Sequence, residues 1–130
     1  MMSYSETHDI IPKLHAILAA VPDAADEHHL GRPFLTAYQI AIAFAHRYPD
    51  DVANLGHPIG GQGSGSRYSL STYVARLLSG YVKANPNGPI EGAFISNWHL
   101  NELTFSYNEQ VIRSSLTESA FPLSMFRLKS

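Results

Sequence analysis

The sequence predicts an α+β fold in which a three-helix core is followed by a small antiparallel β-sheet. Apolar residues recur at helical spacing through the first two-thirds of the chain, and after Pro89 they alternate as in strands. Of the 130 residues, 45% are apolar and 15% charged, enough apolar surface for one core at the commonest domain size. We therefore expect a single domain over residues 1–130.

The periodicity predicts three helices, near residues 9–21, 37–48 and 69–83. The second helix has the most complete start signal, because Thr36 at the N-cap is followed three residues later by Gln39, the spacing of a capping box. Pro49 ends that helix, since proline disfavours helical geometry in the residue before it. Ser66 or Ser69 caps the third helix.

A loop over residues 49–67 is predicted between the second and third helices. Residues 60–66 are glycine, serine and one glutamine, which offer too little side chain to pack, so we expect this part to be mobile. A glycine-rich loop before a helix can also present N–H groups to an anion. It lacks the lysine and the glycine spacing of a nucleotide-binding loop, and a plain flexible connection is the other interpretation.

Four strands are predicted after Pro89, at residues 90–96, 103–107, 110–116 and 124–129. Asn108 and Glu109 form a plausible tight turn between the second and third of them. In the last strand, Phe126 and Leu128 fall on one face. The second half of the chain therefore ends in a small antiparallel sheet.

Composition also indicates the compartment. Cysteine is absent, which excludes disulfide bonds and thiolate chemistry and removes the usual ligands of a structural zinc site. No apolar run approaches the ~20 residues that cross a bilayer, and residues 1–12 carry acids where a signal peptide carries bases. We expect a cytoplasmic protein with no membrane partner.

No catalytic or metal-binding pattern stands out. None of the seven histidines has the His-Glu-x-x-His spacing of a zinc site, and the adjacent His28 and His29 would point apart on a regular helix or strand. Ser64, between two glycines, lacks the flanking spacing and the strand of a nucleophile elbow. We therefore predict no catalytic residue, no metal and no cofactor, and we do not expect an enzyme.

Charge is distributed unevenly along the chain. The net charge is −2, yet residues 1–63 carry seven acids against three bases, whereas residues 64–130 carry six bases against four acids. The stretch 52–90 contains no acid. This pattern is compatible with an ordinary solvated surface and equally with a face that binds an anion such as nucleic-acid phosphate.

Three helices, the second opened by Thr36-Ala37-Tyr38-Gln39-Ile40-Ala41, followed by a hairpin, resemble the winged helix-turn-helix architecture over residues 9–116. In that family the third helix enters the major groove and the hairpin wing contacts the backbone. The resemblance implies base contacts from the third helix and phosphate contacts at its ends, with candidate residues Arg67, Ser71, Thr72, Arg76 and Lys83. The wing at 107–110 has no base at its tip, and the 49–67 loop is longer than the family's turn.

Two functions from different classes follow. The first is a DNA-binding module, such as a small transcriptional regulator, that uses its third helix and the preceding Gly/Ser-rich loop. The alternative is a protein-interaction module, a small regulator or inhibitor that binds one partner through Trp98 and Tyr107. Trp98 is otherwise expected at a core edge, and a homodimer is compatible with either function.

Overall fold

The computed structural model describes residues 4–22, 31–61, 69–114 and 123–129. The helices are α1 (Tyr4–Thr7), α2 (Ile10–Ala19), α3 (Ala37–Arg47), α4 (Pro49–Leu55) and α5 (Leu70–Ala84). The strands are β1 (Leu35–Thr36), β2 (Ile90–Ile95), β3 (Thr104–Tyr107), β4 (Gln110–Arg113) and β5 (Leu123–Leu128). The predicted α+β class, with helices followed by strands, is confirmed.

The three predicted helices correspond to α2, α3 and α5. Helix α3 begins with the predicted capping box: the Gln39 amide donates to Thr36 Oγ1 at 3.2 Å, and the Thr36 amide donates to Gln39 Oε1 at 2.7 Å. Two N–H groups at this helix start are thereby satisfied from within the local sequence. The same local hydrogen bonds explain why this start could be located from the sequence.

Helix α4 corrects the prediction of an unbroken loop over residues 49–67. Pro49 occupies the first turn, where its missing N–H has no intrahelical partner to lose, and Asp50 and Asp51 add negative charge at the helix N-terminus. Gly56 ends the helix in the left-handed conformation at φ 69°. Pro49 therefore both stops α3 and starts α4.

The strands form two separate antiparallel sheets where the sequence predicted one. One sheet has the order β1-β5-β2. Phe126 in the central strand β5 lies opposite Leu35 of β1 on one side and opposite Gly92 of β2 on the other. The other is the β3-β4 hairpin, whose turn residues Asn108 and Glu109 have φ of 49° and 66°. Two consecutive positive φ values are typical of a type I′ turn, so the tight turn predicted there is confirmed.

The core lies between the helices and one face of the three-stranded sheet. Helix α3 packs against both α2 and α5, and α2 and α5 contact β5. The largest fully buried side chains come from α2, α3, α5 and β2 and include Phe44, Ile10, Leu14, Leu18, Ile40, Leu70, Leu78 and Ile90. No helix among the described residues is both long and apolar enough to span a membrane.

Ser114 anchors the base of the hairpin. Its side chain is fully buried, its Oγ accepts from the Leu103 amide at 2.9 Å, and its own amide donates to the Leu103 carbonyl oxygen at 2.8 Å. Replacing Ser114 by alanine leaves the Leu103 amide without that acceptor, and we expect a loss of about 1–3 kcal/mol in the free energy of unfolding. Urea denaturation followed by circular dichroism measures it.

The matched control is Ser106→Ala, which removes the same hydroxyl from an exposed position of β3. We expect it to change the free energy of unfolding by no more than about 0.5 kcal/mol. Equal effects of the two substitutions would contradict the anchoring role of Ser114.

Candidate nucleic-acid interface

Helix α5 has one buried and one exposed face. Leu70, Val74 and Leu78 are buried against the core. The exposed side, called here the α5 face, consists of Arg76, Ser79, Gly80 and Lys83. These positions recur every three to four residues, so they lie along one stripe of the helix. The helix contains no acidic residue, so both charges on the α5 face are positive.

Arg76 and Lys83 are exposed, as the sequence predicted. They are two helical turns apart, about 10.5 Å along the axis. The residues between them on the stripe are small, and a Cβ added at Gly80 would have nothing within 4 Å. The α5 face is therefore a shallow surface with a cation at each end, which a polyanion can approach closely.

Ser71 does not belong to this face, which corrects its predicted role. The residue is only 5% exposed, and its hydroxyl lies 2.9 Å from the hydroxyl of Ser69. Thr72 is half-buried, and its Oγ1 accepts from Ser69 Oγ at 3.0 Å. Both hydroxyls are thus engaged by the N-cap serine, because a serine in the buried stripe needs a hydrogen-bond partner. Arg67 lies outside the described residues.

The N-terminus of α5 offers no free N–H groups to an anion among its first three residues. The amides of Leu70 and Ser71 donate to the carbonyl oxygens of Pro58 and Ile59 at 2.6 and 3.0 Å. The Thr72 amide donates to the N-cap hydroxyl at 3.1 Å. Anion binding at a helix start depends on free N–H groups, so the geometry does not support the anion-binding interpretation at this point. Most of the 60–66 loop, predicted to be mobile, lies outside the described residues.

The predicted wing packs on the predicted second helix. In the β3-β4 hairpin, the Phe105 ring stacks on Tyr38 with centroids 5.0 Å apart, and the Tyr107 ring stacks on His46 at 5.2 Å. Asn108 Oδ1 in the turn lies 3.4 Å from His46 Nε2. The tip of the hairpin is therefore held at the C-terminal end of α3, and Tyr107 is engaged within the fold.

An open apolar groove of about 280 Å³ lies between α5 and the three-stranded sheet. Its lining includes Val82, Lys83, Gly92, Phe94 and Phe126. Phe94 is 66% exposed, and Trp98, just beyond the end of β2, is 81% exposed. The core-edge expectation for Trp98 is therefore wrong. Phe94 was not singled out from the sequence, although its place in an alternating strand puts it on the same face as Ile90.

No group of three histidine or acidic side chains that could hold a metal ion occurs within the described ranges. Comparison of the chain with known protein families, with curated proteins and with solved structures gives no match.

Proposed function

We propose that this protein binds duplex DNA by placing the α5 face in the major groove. The supporting observation is that the 15-residue helix buries one side and turns toward solvent a stripe that carries Arg76 and Lys83 and no acid. A B-DNA major groove about 12 Å wide admits a single α-helix. Small side chains in the middle of the stripe allow the helix backbone to come close to the base edges.

The order of elements agrees with the winged helix-turn-helix proposal, in which α5 is the third helix. Two features differ from the winged helix-turn-helix pattern, and they determine which DNA contacts the proposal includes. Helix α4 lies between α3 and α5 in the chain, and the hairpin tip lies beside His46 with Glu109 in its turn. An acid at the tip would repel phosphate, so the proposal assigns no DNA contact to the hairpin.

Arg76 and Lys83 have different proposed roles. Arg76 lies near the middle of the helix, where a guanidinium can donate two hydrogen bonds to a guanine edge. Lys83, in the last turn, is placed to meet a phosphate, which fixes orientation without reading sequence. A protein with these contacts would act as a small transcriptional regulator in the cytoplasm, in agreement with its cysteine-free composition.

The test is a titration of duplex DNA, first of random sequence and then of a site selected from a random pool, at two salt concentrations. We expect Arg76→Ala to weaken binding to the selected site by about 1–3 kcal/mol and to reduce discrimination. We expect Lys83→Ala to weaken binding to both duplexes and to reduce the slope of log K against log salt by about one.

Arg47→Ala is the matched control, because Arg47 is an exposed base at the end of α3 and its loss changes the net charge equally. It should leave site discrimination unchanged. The proposal fails if the wild-type protein shows no salt-sensitive binding. It also fails if Arg47→Ala weakens binding as much as the two α5 variants do, because the effect then reflects net charge alone.

A protein-interaction module is the second candidate, and the exposure of Trp98 favours it. A large aromatic side chain in solvent is typical of the anchors that dominate protein interfaces. Tyr107, the other predicted anchor, is already stacked on His46, so the interaction surface would centre on Trp98. The DNA titration separates the two candidates: without salt-sensitive binding, the protein-interaction module becomes the leading proposal.

A further inference from the structure

Strand β2 is an edge strand of the described sheet, since it pairs with β5 on one side only. Proteins protect such edges with proline, lysine, bulges or very short strands. The six residues of β2 include neither proline nor lysine. The single charge in the strand, Glu91, accepts from Arg127 Nε at 3.0 Å. Among the described residues no strand pairs with the outer side of β2, so its backbone groups there are available to another strand.

Phe94 and Gly92 lie on the same face of β2, the one that faces the core. Their partners in β5 are Ser124 and Phe126, and Phe126 is buried. The Phe126 ring leans across Gly92, because a Cβ added there would lie 3.0 Å from Phe126 Cε1. Gly92 is exposed and has no side chain, so the strand is open toward the groove at this position. Two residues further along β2, Phe94 is exposed.

We propose that a second copy of this chain pairs antiparallel with β2, with Ala93 opposite its own equivalent on a two-fold axis. In an antiparallel pair, directly opposite residues share one face of the sheet. Centring the pair on Ala93 therefore places Phe94 of each copy opposite Gly92 of the other. Each Phe94 ring then lies beside Gly92 of the other copy, at the groove between α5 and the sheet.

The occupant is a second copy because the surface is complementary to itself. An isologous interface uses the same patch twice, and here the exposed ring and the open position are two residues apart on one strand. In this register Glu91 lies opposite Ile95 of the other copy, so no like charges face each other directly. The inference rests on the pairing of β2 and does not depend on DNA binding, although Ser79 and Lys83 of the α5 face also line the groove.

Sedimentation velocity over a range of concentrations tests the association. We expect the wild-type protein to shift from monomer to dimer as its concentration rises, and Phe94→Lys to raise the dissociation constant at least about tenfold. Val111→Lys is the control, because Val111 is similarly exposed, at 68%, but lies on β4 in the other sheet. It should leave the dissociation constant unchanged. A wild-type protein that stays monomeric up to about 1 mM overturns the proposal.

Cross-linking tests the register. Because the chain has no cysteine, Ala93→Cys introduces a single thiol that would face its equivalent across the axis. Opposite Cα atoms in an antiparallel pair are about 4.5–5.5 Å apart, within the range that a disulfide bridges. With oxidised glutathione as electron acceptor, we expect covalent dimers from Ala93→Cys and few from Val111→Cys. No cross-linking at Ala93, or equal cross-linking at both positions, overturns the proposed pairing.

Discussion

Replacing Gly61 by alanine is expected to lower the free energy of unfolding by about 2–5 kcal/mol. Gly61 has φ of 101°, a conformation that costs any other residue strain. A Cβ at this position would also lie 2.6 Å from the Arg113 carbonyl oxygen and 2.9 Å from Ile112 Cγ2. Since a backbone oxygen cannot rotate away, the end of β4 would have to move. Urea denaturation monitored by circular dichroism measures the loss.

Gly56→Ala separates the two causes. Gly56 also has positive φ, at 69°, but a Cβ there would have nothing within 4 Å. This variant should cost only the left-handed strain, about 1–2 kcal/mol. If both variants lose the same stability, the close approach of the hairpin to Gly61 adds nothing to the loss, which contradicts the tight contact with the Arg113 carbonyl oxygen.

Phe44→Ala should destabilise the protein by about 3–5 kcal/mol, because it leaves a cavity at the centre of the core. Phe44 is 1% exposed and lies on α3, the helix that packs against both α2 and α5. A loss of this size is a large share of the 5–15 kcal/mol that typically stabilises a domain. The midpoint of urea unfolding should fall accordingly, and thermal denaturation should show a lower Tm.

Phe94→Ala is the matched control, because it deletes the same atoms from an exposed position. We expect it to change the free energy of unfolding of the monomer by no more than about 0.5 kcal/mol. A large loss of stability in dilute solution, where the monomer predominates, would show that Phe94 supports the fold itself and would contradict its assignment as a surface residue.

Local interactions explain what could be predicted from the sequence. The start of α3 was located because Thr36 and Gln39 satisfy each other's backbone groups three residues apart. Helix α4 is not predicted, because Pro49 in the sequence indicates the end of the preceding helix and gives no separate signal for a new one. Strand β1 has two residues, and its pairing with β5 depends on tertiary structure that no local pattern indicates.

In the candidate site, too, the features set by local sequence are predictable and those set by tertiary packing are not. Helical periodicity was enough to place Arg76 and Lys83 on the exposed face. Periodicity does not place Ser71 correctly, because serine is a polar residue and is expected on the exposed face. Its hydroxyl can be buried only because the Ser69 hydroxyl lies beside it as a hydrogen-bond partner. Strand alternation puts Phe94 on the core-facing side of β2, yet the side chain is largely exposed at that end of the sheet. Its exposure depends on how far the helices extend over the sheet, which the local sequence does not indicate.

The position of β5 has a consequence for synthesis. Strands β1 and β2 do not pair with each other, and each forms its hydrogen bonds in this sheet with β5. Neither strand can therefore acquire its partner on the ribosome until residues 123–128 have emerged. Helices α2, α3 and α5 can collapse earlier, because their contacts need only the first part of the chain. Until β5 inserts between them, β1 and β2 are both unpaired, and this is when the nascent protein is most vulnerable to aggregation.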